Sequence, residues 1–377
     1  MADTHGTKIE WTHAPGFKGE TWNVINGCEL KSEGCRYCYA ADLATTRLKN
    51  HPSRAGLARR NADGVAKFNG KVRLVEHLVT APLRWKKPRM VFVCAHGDLF
   101  YERVPDEWID RLFAVMALCP QHVFIVLTKR PERMRAYLSM ARAHPVGIEA
   151  LELTFVELQR NPKSKVGDGC VLQGDIVHLK NWPLPNVWLG VSVENQATAD
   201  ARIPVLLDTP AAIRWVSAEP LLGEIDLTMI PIDGQAHLKH NPKVYVGAMT
   251  PEQIVEQSRD DYVGLANLIC FNALGGKAER EVLSIPALDW VITGGESGKN
   301  ARPTHPQAFR DLRDQCRAAD VRYLHKQNGE WVSVSEVEGP GRHHQFLDGA
   351  TVRRIGKKRA GRTIDGRTHD AWPEVAR

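Results

Sequence analysis

Three cysteines lie close together near the start of the chain, in the stretch NVINGCELKSEGCRYCYAADLA at residues 23–44. They are Cys28, Cys35 and Cys38, whereas the other five of the eight cysteines are scattered singly. Three thiols cannot all pair as disulfides, and a closed structural zinc site takes four ligands. The spacing C-x6-C-x2-C therefore raises the question of what occupies the fourth ligand position.

Three kinds of chemistry use cysteines in this way. A redox C-x-x-C pair would use Cys35 and Cys38 but would leave Cys28 without a role. A zinc ion would need a distant fourth ligand. A [4Fe–4S] cluster held by three thiolates leaves one iron open to a small molecule, as catalytic metal sites require. Gly27 and Gly34, each directly before a cysteine, suit a loop folded tightly around a cluster. We favour the cluster and keep zinc as the alternative.

The elements that must position these cysteines form a repeated pattern. Six short apolar runs end in polar residues or glycine and alternate with segments of helical spacing; they lie at residues 90–100, 122–130, 186–195, 213–221, 288–298 and 321–329. Such runs are typical of strands buried on both faces. With a further strand at TWNVIN (residues 21–26), they predict an α/β fold, a full or partial (β/α) barrel of mainly parallel strands. A doubly wound open sheet is the alternative.

The domain organisation follows from the interruptions of this pattern. The barrel is expected to occupy residues 1–330 and to be followed by a basic C-terminal extension at residues 331–377. Two stretches, at about 148–182 and 228–286, are too long for simple connections, so we predict insertions with structure of their own.

Two of the remaining cysteines are expected to be core residues. Cys119 and Cys316 lie on the apolar stripes of two predicted helices. The second of these helices opens with Thr304 and Gln307 at the spacing of a capping box.

Composition and charge limit the function further. The net charge is +6, with 43% apolar and 25% charged residues, as in ordinary soluble globular proteins. No apolar run approaches the roughly 20 residues of a membrane helix, and the N-terminus has no apolar signal core. We therefore expect a cytoplasmic protein without a membrane partner. Residues 353–367 carry seven basic residues and one acidic one; they are either a nucleic-acid contact or a solvated tail.

A family resemblance begins at Cys35-Arg36-Tyr37-Cys38, where an aromatic residue directly precedes the last cysteine. This loop resembles that of the radical S-adenosylmethionine superfamily, whose usual spacing is C-x3-C-x2-C. The longer first gap is similar to a branch of phage- and bacterium-encoded proteins with a three-cysteine motif. The further segments that resemble this branch are KIEWTHA, GDLFYERVPDEWI, VLTKRPERM, WLGVSVENQ, RWVSAEPLLG, DWVITGGESGKNARP and GKKRAGRTIDGRTHDAWP.

The resemblance implies an activity and its cofactors. Cys28, Cys35 and Cys38 would bind a [4Fe–4S] cluster, and its open iron would bind S-adenosyl-L-methionine. A flavodoxin- or ferredoxin-like protein would supply one electron, and a 5′-deoxyadenosyl radical would then attack the substrate.

The resemblance also implies roles for polar residues at the strand ends. The cofactor contacts would be Tyr37 at the adenine, Gly97 and Asp98 at the methionine amino group, Ser192 and Glu194 at the ribose, and Gly294, Gly295 and Glu296 in a glycine-rich segment near the adenine. Four further residues have no cofactor role in this scheme and are either substrate contacts or salt-bridge residues; they are Lys129, Arg130, Glu219 and Lys326.

Two functional hypotheses follow. The first is a radical S-adenosylmethionine enzyme whose substrate is unidentified, with modification or repair of a nucleic-acid base as the leading candidate. The second is a non-enzymatic, zinc-stabilised barrel that binds nucleic acid or a partner protein.

Overall fold

The computed structural model describes most of the chain. The described residues are 6–138, 143–160, 170–173, 176–179, 181–231, 270–271 and 287–375. They form two compact units. The first unit comprises Met1–Gly190, Thr209–Ile213 and Glu374–Arg377, and the second comprises Val191–Asp208 and Arg214–Pro373.

Seven strands form the main sheet. They are β1 (Lys18–Trp22), β2 (Arg89–Val93), β3 (Val123–Thr128), β4 (Val187–Ser192), β5 (Ile213–Ala218), β6 (Trp290–Gly294) and β7 (Arg322–Gln327). The order of strands in the sheet is the order along the chain. The pairs β1–β2, β2–β3, β5–β6 and β6–β7 are parallel. A doubly wound sheet reverses its strand order at a switch point, and this sheet does not. The fold is therefore α/β, a partial (β/α) barrel, and all six predicted strand runs are confirmed.

The helices and short strands connect or flank the main strands. The helices are α1 (Tyr39–Thr45), α2 (Glu76–Val79), α3 (Asp106–Ala117), α4 (Pro131–Tyr137), α5 (Ala143–Arg160), α6 (Gln196–Leu207), α7 (Pro306–Ala318) and α8 (Lys357–Ala360), with 3-10 turns at Glu10–Thr12, Glu33–Cys35 and Ala81–Arg84. The short antiparallel pairs are Ile25–Asn26 with Arg73–Leu74, Ala58–Arg60 with Ala66–Phe68, Cys170–Gln173 with Ile176–Leu179, and Ile230–Pro231 with Cys270–Phe271. A three-stranded sheet joins Trp331–Ser333, Thr351–Arg354 and Arg342–Gln345.

Each unit has its own apolar core. In the first unit, Leu112 and Phe113 of α3 are buried, as are Val123 to Val126 of β3. In the second unit, the rings of Trp215 and Trp290 lie 5.6 Å apart on the paired strands β5 and β6. Cys119 and Cys316 are both buried as predicted, at 1% and 0% exposure.

Two local predictions need correction. The strand expected at residues 21–26 is divided, because β1 ends at Trp22 and Ile25–Asn26 pairs instead with Arg73–Leu74. The capping box expected at Thr304 is also wrong. Helix α7 is capped by His305, whose side chain accepts a hydrogen bond from the Gln307 N–H, and Pro306 fills the first helical position, where no N–H is needed. The hydroxyl of Thr304 donates to Leu221 O instead.

The first stretch predicted as an insertion, at about 148–182, includes most of α5 and the strand pair Cys170–Gln173 and Ile176–Leu179. Of the second predicted insertion, only residues 228–231 and 270–271 are described, and the rest lies outside the described residues. Over the part of the chain that is described, no helix has the length and apolarity to cross a bilayer.

Gly295 offers a test of the packing between the ends of β6 and β7. A Cβ at this position would lie 2.1 Å from Asn328 O, a backbone atom that cannot turn away. We expect Gly295→Ala to lower the free energy of unfolding by at least about 2 kcal/mol, measured by urea denaturation. Gly223→Ala is the control, since its Cβ would meet its nearest neighbour at an ordinary 3.4 Å. Equal stability of the two variants would contradict the close packing.

Candidate functional site

The cysteine loop follows the short strand Ile25–Asn26. Cys28, Cys35 and Cys38 are free thiols of intermediate exposure. Cys35 ends the 3-10 turn Glu33–Cys35, and α1 begins directly after Cys38. The loop therefore presents three partly accessible thiols between a short strand and a helix, all within the first unit.

Two glycines allow this loop to lie against the end of β2. Gly27 has a φ of +96°, and a Cβ there would lie 2.1 Å from Lys71 O. Its N–H donates to His96 O at 3.1 Å. A Cβ at Gly97 would lie 3.0 Å from the carbonyl oxygens of both Ile25 and Gly27. A larger residue at Gly97 would push the loop away from the end of β2, and one at Gly27 would collide with the backbone at Lys71. The structure thus gives Gly97 a packing role.

Asp98 follows the end of β2, and both of its carboxylate oxygens accept hydrogen bonds from the chain itself. Its Oδ1 accepts from Phe100 N at 3.0 Å and from Thr128 Oγ1 at 2.7 Å. Its Oδ2 accepts from Lys129 N at 3.2 Å and from Arg130 Nη1 at 3.1 Å. These bonds join the end of β2 to the end of β3. The suggested role of Asp98 at the methionine amino group stays a prediction.

Arg130 links the end of β3 to the cysteine loop. The residue is 3% exposed and pairs with Asp98 and, at 2.7 Å, with Glu102 Oε2. Its Nη2 donates to Glu29 O at 3.1 Å, one residue after Cys28. Its guanidinium also lies 4.7 Å from the ring centre of Tyr101. Arg130 therefore forms salt bridges, which was one of the two roles expected for it.

Tyr101 and Glu29 complete this network. Tyr101 is buried, and its hydroxyl donates to Glu29 Oε2 at 2.9 Å. Sequence reasoning missed Glu29, Tyr101 and Glu102 as members of the site. The signal available for two of them was their position in GDLFYERVPDEWI, one of the segments that carried the family resemblance.

The surroundings of the thiols set their protonation. Burial raises the pKa of the Cys28 thiol, and the Asp98 carboxylate raises it further, while the positive charge of Arg130 acts in the opposite direction. Burial also raises the pKa of Cys38, while hydrogen bonds from the backbone N–H groups of Ala41 and Ala40 act in the opposite direction and lower it. Both thiols are therefore protonated at neutral pH, and a metal ligand would have to displace these protons.

The donor set fits an iron–sulfur cluster. Among the residues that the structure describes, no three side chains of His, Cys, Asp or Glu are grouped so as to hold one metal ion. A four-iron cluster is wider than an ion, and its thiolates attach to different irons, so they need not converge on one point. Cys35 interacts electrostatically with both Cys28 and Cys38. Three neighbouring free thiols are the ligands that such a cluster requires.

A second polar group lies in the second unit, at the ends of β5 and β7. Lys326 Nζ donates to both carboxylate oxygens of Glu219 at 2.9 Å, and Gln327 Nε2 donates to Glu219 Oε1 at 2.8 Å. Gly294 accommodates this carboxylate, since a Cβ there would lie 3.0 Å from the Glu219 carboxyl carbon. Two of the four substrate-contact candidates are therefore ion-paired with each other.

The predicted cofactor contacts of the second unit also have partners there. Glu194 is 1% exposed and pairs with Arg202 at 3.2 Å, and the same guanidinium donates to Ser192 O at 2.7 Å. Glu296 accepts from the guanidinium of Arg302 at 2.6 and 2.9 Å and from the backbone N–H of the same residue at 2.8 Å. The structure thus gives each of these acidic side chains an arginine partner.

The predicted site residues fall into two sets, one in each unit. The set in the first unit is Cys28, Cys35, Tyr37, Cys38, Gly97, Asp98, Lys129 and Arg130. The set in the second unit is Ser192, Glu194, Glu219, Gly294, Gly295, Glu296 and Lys326. Tyr37 is partly buried, with the guanidinium of Arg36 5.6 Å from its ring centre. The direct contacts of Asp98 with Lys129 and Arg130, and of Glu219 with Lys326, bring predicted site residues together within each unit.

Comparison with known proteins places the chain in a family. The model of the family DUF5131, described as a protein of unknown function, matches residues 6–373. No curated protein and no solved structure matches the chain. Because the family model covers nearly the whole sequence, including the cysteine loop and all seven strands of the main sheet, the chain belongs to the DUF5131 family.

Proposed function

We propose that the protein is an iron–sulfur enzyme of the radical S-adenosylmethionine type that acts on an unidentified substrate. The observation that carries the proposal is the group of three free cysteines, each a residue of intermediate exposure, on a loop that is hydrogen-bonded to the segment after β2. The partial (β/α) barrel agrees with it, because ligand sites of such folds lie at the carboxyl ends of the strands. We further propose a cytoplasmic protein that takes electrons from a flavodoxin- or ferredoxin-like partner.

Cys28, Cys35 and Cys38 would hold the [4Fe–4S] cluster. When bound, the cluster supplies one electron for the cleavage of S-adenosyl-L-methionine. The chain prepares the loop for this ligand through charge. Arg130 favours the thiolate of Cys28, and Lys129 favours that of Cys38, although burial opposes both thiolates.

The remaining proposed cofactor contacts include three acidic side chains. Asp98, Glu194 and Glu296 already accept hydrogen bonds from their own chain. A cofactor group bound in either unit would therefore have to share the carboxylate that it contacts with an arginine side chain. At Gly97, Gly294 and Gly295, the space that a side chain would take is occupied by the chain itself, so only their backbone groups could contact a cofactor.

The activity is tested by the formation of 5′-deoxyadenosine. The protein is purified without oxygen, reconstituted with iron and sulfide, and reduced in the presence of S-adenosylmethionine. We expect the wild-type protein to be brown and to form 5′-deoxyadenosine, which chromatography detects. Cys28→Ala, Cys35→Ala and Cys38→Ala should each lose this product, because each removes one of the three thiolates that bind the cluster.

Cys119→Ala is the matched control, since Cys119 is a buried core thiol outside the loop. It should keep the product. A colourless wild-type protein that binds one zinc ion and forms no 5′-deoxyadenosine would overturn the proposal and leave the zinc-stabilised binding protein in its place.

Arg130 should act as a positioning residue for the cluster loop. Arg130→Met leaves the buried Asp98 carboxylate without its cation, and breaking such a pair costs about 3 kcal/mol. It also removes the bond to Glu29 O beside Cys28. We therefore expect a fall in the free energy of unfolding and the loss of more than about half of the iron bound per folded chain. Urea denaturation and iron analysis after desalting measure the two effects.

Arg133→Met is the control for Arg130→Met. Arg133 pairs at 2.7 Å with the more exposed Asp106, so its loss should cost less than about 1 kcal/mol and leave the iron content unchanged. In the double variant Arg130→Met/Asp98→Asn, the uncompensated charge is gone, so stability should recover in part. Normal iron retention in folded Arg130→Met would contradict the positioning role.

A further inference from the structure

The stretch from Thr46 to Leu74, called the basic segment below, has an unusual charge. It holds eight basic residues and a single acidic one, Asp63. The basic residues are Arg47, Lys49, Arg54, Arg59, Arg60, Lys67, Lys71 and Arg73. Its net charge of +7 exceeds the +6 of the whole chain, so the remaining residues sum to about zero. The positive charge of this protein is therefore concentrated, and the basic segment is one of the places that hold it.

The basic segment lies directly beside the cysteine loop. The Gly70 N–H donates to Cys28 O at 3.1 Å. The carbonyl of Lys71 is the group that excludes any side chain at Gly27. The strand pair Ala58–Arg60 and Ala66–Phe68, called the basic hairpin below, contacts α1, which begins after Cys38. A ligand on the basic segment would thus lie next to the candidate cluster site.

The basic hairpin places two positive charges opposite each other. Arg59 and Lys67 are cross-strand partners in its register, and like charges in this position destabilise a strand pair. Arg60 is paired with Asp42 at 2.6 Å. Within the described part of the chain, no ion-pair partner is present for Arg59, Lys67 or Lys71. This arrangement leaves the hairpin with positive charge that its own chain does not balance.

Arg54 is a buried cation that has no carboxylate partner among the described residues. It is 8% exposed. Its Nε and Nη2 reach His96 Nδ1 at 3.0 and 2.7 Å, and its Nη1 donates to Ser53 Oγ. Burial lowers the pKa of Arg54 to about 10. Burial, and then the charges of Arg54 and Arg47, lower the pKa of His96 to about 4, so His96 is neutral at pH 7. A buried charge held by neutral acceptors alone is costly, and a bound anion would offset that cost.

An aromatic ring lies beside His96, the hydrogen-bond partner of Arg54. Tyr39, the first residue of α1, is 52% exposed, and its hydroxyl donates to Ala95 O at 2.5 Å. Its ring contacts His96 edge-on, with the centres 6.2 Å apart. Aromatic side chains next to basic grooves are how proteins bind single-stranded nucleic acid, since bases stack while phosphates contact the cations. A nucleotide pairs a base that can stack on this ring with a phosphate that can contact the cations, whereas an acidic side chain matches the cations alone.

We propose that the basic segment is a binding site for single-stranded nucleic acid. Arg59 and Lys67 contact phosphates, Arg54 fixes one phosphate, and Tyr39 stacks on a base. Single-stranded nucleic acid is then also the substrate class of the proposed enzyme, and this second statement rests on the proposed function. Binding of nucleic acid does not, because it does not require the cluster. The run at residues 353–367 is less suited, because Arg353, Arg354 and Arg362 donate to carbonyl groups of the chain itself.

The test is the binding of a fluorescein-labelled DNA strand of about 20 nucleotides, followed by anisotropy over a series of KCl concentrations. The variant Arg59→Glu/Lys67→Glu reverses the facing charges of the basic hairpin. We expect it to weaken binding at least about tenfold at about 50 mM KCl and to reduce the salt dependence by more than about one unit of slope. Tyr39→Ala should weaken binding at least about fivefold.

Lys86→Glu/Lys87→Glu is the matched control. It changes the net charge by the same amount, and both residues are exposed and lie in the same unit. They come just before β2 begins, whereas the cysteine loop lies at the other end of that strand. It should weaken binding less than about threefold. Equal losses in the two double variants, absence of binding, or tighter binding of the matching duplex would each overturn the proposal. Circular dichroism confirms that each variant is folded.

Failure of this inference is distinguishable from failure of the proposed function. The same preparation is assayed for 5′-deoxyadenosine without nucleic acid. Product without binding overturns the nucleic-acid site and keeps the radical enzyme. Binding with the expected variant effects but without product keeps the site and overturns the enzyme.

Discussion

The buried ion pair between Asp98 and Arg130 is the interaction on which the arrangement of the cysteine loop depends. Asp98 gathers donors from the ends of β2 and β3, and Arg130 extends the network to Glu29 beside Cys28. Desolvation makes such a pair a weak source of net stability, yet the loss of one partner is costly because the other charge stays buried. The pair therefore fixes where the loop lies relative to the sheet more than it stabilises the fold. Gly27 and Gly97 serve the same end by allowing close backbone contact.

The strands of the main sheet could be predicted from the sequence, whereas the bounds of β1 and the cap of α7 could not. Strands such as β3, whose residues 123–126 are all buried, must be continuously apolar, so an apolar run in the sequence predicts where they lie. β1 was misplaced because Trp22, Val24 and Ile25 are all buried, although Trp22 pairs with Val93 of β2 and Ile25 pairs with Leu74. The cap of α7 was misassigned because a Thr-x-x-Gln spacing does not specify whether its threonine hydroxyl has a tertiary partner, here Leu221 O.

Sequence patterns identified candidate site residues but not the residues with which they form hydrogen bonds and ion pairs. The cysteines and the polar residues after each strand are visible from local spacing. The partners of Glu219 and Arg130 are not, because Lys326 lies 107 positions from Glu219 and Glu29 lies 101 positions from Arg130. The basic segment was missed for a related reason. Its charges are separated by apolar and small residues, and only the pairing of Arg59 with Lys67 places two of them side by side.

Charge connects the cysteine loop to the basic segment. Burial raises the pKa values of Cys28 and Cys38, so thiolate ligands form there only against a desolvation cost. Positive charge from Arg130 and Lys129 offsets part of that cost from the side of β3. Arg54 adds a fixed positive charge on the side of α1, and its pKa, although lowered to about 10, keeps it charged at neutral pH. The same positive field would favour the proposed anionic cluster on the loop and would attract a polyanion to the surface beside it. Cluster binding and nucleic-acid binding would therefore draw on one distribution of charge, and each bound anion would reduce the positive potential available to the other.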